Sequence, residues 1–255
     1  MDERRLRVAI AGEGSAHFLL ASRLGKAAQV KLGPAGQRWT WVGDGQGGNY
    51  LRTTDLAARS KADSGRPRYR RERDQGRPRG FGAVIDAIAQ RLAQDADLVV
   101  VLFDEDGDPS RRSSVAEALP APIGPEFVVG WCVPMAEAWL VALVGPQRPE
   151  RLAWVEGELK RNVARQPESM CVQPASADHH AKRVLNFLID VDCDSVRNAT
   201  ASTPSFLATE GLLDEVDLRA VGGLHGCGLG AFVADLEVAL NRPNLPTSSG
   251  TDFAH

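Results

Sequence analysis

The chain of 255 residues has only four cysteines, Cys132, Cys171, Cys193 and Cys227, and no C-x-x-C. That excludes a zinc ribbon or a dithiol redox pair, and scattered thiols point to a reducing cytoplasm. Long apolar runs are also missing. The charged start MDERRLR leads into an apolar stretch too short for a signal peptide, and no later segment reaches membrane length. There is no excess of positive charge, the net charge being −3 at pH 7, so contact with nucleic acid has to come from a local patch. The lysine of a phosphate-binding P-loop is absent. So is the third glycine of the dinucleotide fingerprint, since Gly12 and Gly14 are followed by His17 where it would fall. The remainder is ordinary. Hydrophobic residues make up 43% and charged residues 25%, enough for a good core in one large domain or two small ones.

The most informative stretch is Asp97 to Asp108, DLVVVLFDEDGD. Six apolar residues, Leu98 to Phe103, read as a buried strand of a parallel sheet. They run into Asp104, Asp106 and Asp108. The carboxyl end of such a strand is where an open α/β sheet places its ligand. Gly107 permits the sharp turn that would let the carboxylates converge. A cluster of carboxylates is commonly held by a hard cation, Mg²⁺, Mn²⁺ or Ca²⁺. The plainer alternative is a solvated acidic turn. An EF-hand is excluded, because Val115 stands at the twelfth position, where a bidentate acid is needed.

Around this stretch the pattern alternates strand and helix. Leu6–Ala11 is a strand ended by Gly12-Glu13-Gly14, and Ser15–Leu24 has helical spacing. Arg38–Val42 reads as a strand and Leu51–Ser60 as a weak helix or irregular segment. Phe81–Asp95 is amphipathic, with Val84, Ile85, Ile88 and Leu92 on one face. Ser114 and Glu117 form a capping-box pattern. Glu126–Val133 is a further strand, and Ala136–Val144 a helix with Glu137 in its first turn. An acid there also suits the helix dipole. From Gly145 onward helices dominate: Glu150–Arg165, Ala181–Ile189, Ser205–Glu215 and Gly230–Leu240. Asp178-His179-His180 reads as a helix start rather than a metal site, because closed sites need more ligands at suitable spacing. The expected organisation is an α/β core over 1–145 with an Arg-rich insertion at about 64–80, a helical part over 146–241 packed on it, and a disordered tail over 242–255. The insertion carries seven arginines, among them Arg68, Arg70, Arg71 and Arg73. It is either a phosphate-contacting arm or a solvated linker.

With Glu13, Asp104-x-Asp106 and Glu137 in place, the chain resembles the Toprim-fold family, which includes topoisomerases, primases and OLD-type nucleases. It is most similar to small stand-alone Toprim-like proteins found beside ATPases in bacterial defence clusters. The shared features are an acid after the first strand (Glu13), a D-x-D after a later apolar strand (Asp104, Asp106), and an E-x-W-L segment (Glu137 to Leu140). A lysine-bearing helix start (Ala181-Lys182-Arg183) and a segment like C-x-x-F (Cys227 to Phe232, with longer spacing) complete the pattern. The relatives have a second acid three residues after the first; here Ala16 stands there. The resemblance implies a Rossmann-like parallel sheet flanked by helices and a nuclease using Mg²⁺ or Mn²⁺. Asp104 and Asp106 would bind the cation, with Glu13 as ligand or general base. Asp108 and Glu137 would hold a second ion, and Arg111 and Arg112 would meet phosphates. The implied partners are nucleic acid, DNA in preference to RNA, and an ATPase. A non-catalytic Toprim-like partner subunit is the alternative. A haloacid-dehalogenase-type phosphatase is a third, since F-D-E-D-G echoes its D-x-D-G turn, but that family carries its nucleophile on the first strand.

Overall fold

The computed structural model describes residues 5–33, 38–41, 50–53, 88, 96–118, 126–190, 192–202, 211–213 and 216–242. Five parallel strands form one sheet: β1 (Arg5–Gly12), β2 (Arg38–Trp41), β3 (Tyr50–Arg52), β4 (Leu98–Asp104) and β5 (Glu126–Cys132). The order is β2-β1-β4-β5, with β3 continuing the β2 edge of β1. The expected α/β class with a parallel sheet flanked by helices is therefore present. β4 forms because its apolar run is buried on both faces, as a central parallel strand requires. Its start is fixed by Asp97, whose fully buried carboxylate accepts from the Arg7 backbone N–H at 2.8 Å and from the Arg7 guanidinium at 2.8 Å.

Side chains alternate between the two faces. Leu6, Val8 and Ile10 of β1, with Leu98, Val100 and Leu102 of β4, join the larger core. Ala9, Ala11, Val99, Val101 and Phe103 join the smaller one. The larger core is covered by α1 (Ser15–Leu32), α3 (Ala136–Val144), α5 (Ala181–Ile189) and α7 (Leu229–Leu240). The smaller is closed by Ile88 and by Val115 of α2 (Ser110–Ala118). Between α3 and α5 lies α4 (Pro149–Leu159), and α6 (Leu218–Val221) precedes α7.

Several boundaries differ from the sequence reading. The first helix runs on to Leu32, because the buried Gly25 and Ala28 continue its packed face. α2 begins at Ser110, so Ser114 lies inside the helix and is not a cap. α4 ends at Leu159 rather than Arg165, because Lys160 takes a left-handed conformation with φ 51°. Leu51 belongs to a strand, and 211–213 to a 3₁₀ turn; the rest of those two expected segments, 54–60, 205–210 and 214–215, lies outside the described residues. His180 caps α5, its Nδ1 accepting from Lys182 N–H at 3.2 Å, as a helix start requires. The Arg-rich segment 64–80, the tail beyond Arg242, and all of 81–95 except the helical, buried Ile88 lie outside the described residues.

Candidate functional site

The sheet order sets the site. From β1 the chain goes to β2 and β3 on one side, then crosses to β4 on the other. β1 and β4 therefore flank a topological switch point, where open α/β sheets bind ligands beyond their carboxyl ends. Gly12 pairs with Leu102 in register, so the Glu13-Gly14 turn and the end of β4 at Asp104 lie next to each other, and the charge of Asp104 acts on Glu13. Asp104 in turn pairs with Cys132 at the end of β5.

Asp104 is held tightly. Its Oδ1 accepts from Ala136 N–H at 2.7 Å and lies 3.0 Å from His17 Nε2. The first bond comes from the start of α3, a helix whose N-cap, Met135, offers no side-chain cap. Asp104 thus satisfies an otherwise orphaned helix donor and sits in the favourable field of that terminus. Both bonds end on Oδ1, which leaves Oδ2 available. His17 stands in the first turn of α1, where its Nδ1 accepts from Gly14 N–H at 3.2 Å. It does there what the glutamate of a capping box does.

Glu13 is partly buried, and its Oε1 has no hydrogen-bond partner among the described residues. Burial, and then the charge of Asp104, push its carboxyl from the ordinary 4.5 up to about 7. Glu137 is 4% exposed. Burial raises its carboxyl too, against the pull of Lys182, whose Nζ lies 3.7 Å away. The Cys132 thiol is pushed far up by its complete burial and by the charges of Asp104 and Glu137. His17 is held above its ordinary value. Burial opposes its charged form, but the bond to Asp104 and the charges of Asp104, Glu13 and Glu137 outweigh it.

The three aspartates of the DEDGD turn separate. Asp106 and Gly107 both have positive φ, 51° and 74°, between Glu105 O and Asp108 N–H joined at 2.9 Å. This matches the mirror-image turn that favours Asp-Gly. Its effect is to direct the carboxylates apart. Asp106 pairs with Arg111 at 2.7 Å, and the same guanidinium nitrogen donates to Asp104 O at 2.8 Å. Asp108 is exposed and accepts from Ser110 N–H and Oγ at the start of α2. Arg112 pairs with Glu105. Of the residues singled out in the sequence, Glu13, Asp104 and Glu137 form one electrostatic cluster, Asp106 and Arg111 lie on its rim, and Asp108 serves its own helix. Arg68, Arg70, Arg71 and Arg73 lie outside the described residues.

His17, Asp104 and Cys132 offer ligand atoms within 4.8 Å of one another and could hold a metal ion. In the sequence His17 registered only as a missing glycine, and Cys132 only as one of four scattered thiols. The one available signal for His17 was its place three residues after Gly14. Lys182 had no local signal of its contact with Glu137. A cleft of about 990 Å³ lies elsewhere, between residues such as Leu143, Leu152, Arg165 and Val221, and includes none of the cluster. No described helix is long and apolar enough to cross a membrane. Comparison of the chain with known protein families, curated proteins and solved structures finds no match.

Proposed function

We propose that the chain is a divalent-cation-dependent hydrolase of nucleic-acid phosphodiester bonds with a Toprim-like active centre. The observation that supports this reading is that Glu13 and Asp104 stand at the carboxyl ends of the two strands flanking the switch point, near enough for the charge of Asp104 to act on Glu13, with one buried Glu13 oxygen unpartnered among the described residues. An orphaned carboxylate oxygen beside a second carboxylate is a donor set for Mg²⁺ or Mn²⁺. Glu13 and Asp104 Oδ2 would hold the ion, which when bound would polarise a phosphate and acidify a water. The chain's own groups supply the rest. With no ion bound the Glu13 carboxyl is held at about 7, and an ion on it would bring that value down; Glu13 therefore serves either as a ligand or, where Asp104 holds the ion, as the group that takes a proton from water. Arg111, on the rim at Asp106, can turn to a phosphate oxygen. Lys182, held by the buried Glu137, adds a second cation near the acids. The substrate is nucleic acid, with DNA preferred over RNA, and the accompanying protein is an ATPase; both come from the family resemblance.

The test is cleavage of plasmid and single-stranded substrates with Mg²⁺ or Mn²⁺, using wild type, Glu13→Gln and Asp104→Asn. Each substitution should lower the rate about a hundredfold or more, the scale of losing a positioned acid–base group. Undiminished cleavage by Asp104→Asn would overturn the reading. The second reading, a partner subunit that binds without cutting, is favoured by the Arg111–Asp106 pair, which already neutralises the second acid of the D-x-D. Magnesium binding without cleavage, alone or with the ATPase, would select it.

A further inference from the structure

We infer that His17 is a positioning residue and not a metal ligand: it ties the turn after β1 to the end of β4, so that the site binds a cation through carboxylate oxygens only, although His17 and Cys132 stand beside it. The inference rests on the cation-binding part of the proposed function and is independent of whether the chain cleaves anything.

The geometry of the ring decides the point. His17 is 3% exposed, and both ring nitrogens are engaged. A backbone N–H can only donate, so Nδ1, accepting from Gly14 at 3.2 Å, carries no proton. The proton of the neutral ring is therefore on Nε2, directed at Asp104 Oδ1 3.0 Å away. A histidine that ligates a metal ordinarily donates through its other nitrogen to a carboxylate or carbonyl. Here that nitrogen faces a donor. Ligation through Nε2 would leave either an anionic ring or a proton on Nδ1 pressed against Gly14 N–H. The ring has little room to rearrange: a Cβ on Gly12 would fall 2.6 Å from His17 Cβ, so strand and helix meet there with no slack. One side chain thus spans from the Glu13-Gly14 turn to Asp104 and sets the spacing of the two carboxylates that sit on those elements.

The experiment measures binding of Mn²⁺, Zn²⁺ and Cd²⁺ to the full chain by calorimetry, with ultraviolet absorption followed during the Cd²⁺ titration. The variants are His17→Ala, His17→Gln and Cys132→Ala. Glutamine keeps a donor where Nε2 was and cannot replace an imidazole ligand. Loss of a group that orients a ligand costs about 10- to 100-fold in metal affinity. His17→Ala should show that loss for all three cations alike, His17→Gln should recover most of it, and Cys132→Ala should bind as wild type does. Cd²⁺ should raise no thiolate charge-transfer band. The inference is overturned if Zn²⁺ or Cd²⁺ affinity falls selectively in His17→Gln or Cys132→Ala with a thiolate band in wild type, which would make both residues ligands. Equal affinity in His17→Ala and wild type would overturn it as well. Should His17→Ala fail to fold, the His17→Gln and Cys132→Ala titrations still decide. Wild type binding no cation at all would remove the inference and the cation reading together, whereas binding without cleavage would leave the inference standing.

Discussion

Glu13 shows how much one residue's surroundings do. Its carboxyl is held at about 7 by burial and by Asp104, against an ordinary 4.5. The folded chain therefore binds this proton more tightly than the unfolded chain. Stability contributed by the protonated form is present at low pH and is lost as pH rises from about 4.5 to about 7, then levels off. Glu13→Gln removes that loss. In the presence of a chelator the variant should have a urea midpoint above wild type at pH 8 and close to it at pH 5. Coincident midpoints at both pH values would show that Glu13 is not shifted. Added Mg²⁺ should narrow the gap at pH 8 by stabilising the wild-type carboxylate. At this scale the sequence was legible where chemistry is local: Glu13 and Asp104 each follow an apolar strand. It was silent on His17, whose bond to Asp104 spans 87 positions. Nothing in a side chain's immediate neighbours announces a partner that far away.

Elements were legible in proportion to how far their own pattern fixed them. The helices expected at Ala136–Val144 and Ala181–Ile189 have those bounds in the structure, because apolar burial and their start signals agree. β4 stood out because its apolar run is short, rich in valine and bounded by Asp97 and Asp104, features that decide for a strand over a buried helix. The errors lie where tertiary packing overrides propensity. The helix expected over Ser15–Leu24 continues through Gly25, which is buried inside α1, where a small residue lets the helix pack. Lys160 reads as a good helix former, yet it terminates α4 in a left-handed conformation, its N–H donating to Glu156 O. For a residue with a Cβ that conformation costs about 1–2 kcal/mol. Lys160→Gly should therefore stabilise the protein by about 0.5–1 kcal/mol, after allowing for glycine's greater unfolded freedom. A urea midpoint unchanged or lowered in Lys160→Gly would show that the lysine side chain contributes more than its backbone loses.

For the whole molecule, the sequence reading divides the chain at 145 into a sheet part and a helical part packed on it, and one apolar cluster runs from Leu6 to Leu240 across both. The joint is Trp139, fully buried, whose indole N–H donates to Cys227 O at 2.6 Å and whose ring packs on Phe232 of α7 at 5.5 Å between centroids. Gly130 of β5 fits beneath them; a Cβ there would fall 2.8 Å from Phe232 and 3.1 Å from Trp139. The E-x-W-L and late-cysteine segments that drew attention in the sequence thus divide their roles. Glu137 faces the site, whereas Trp139 and Phe232 fasten the two halves. Their meeting was not legible because no periodicity encodes a contact between distant segments. If the halves share one core, Phe232→Ala should destabilise the whole chain by about 3–5 kcal/mol, the usual cost of emptying a buried phenylalanine site. Tryptophan fluorescence and far-ultraviolet dichroism should then lose signal in a single coincident transition, shifted to lower urea. Two separated transitions, with only the helical signal shifted, would mean instead that the sheet half holds its fold alone and that the helical half is an appended domain.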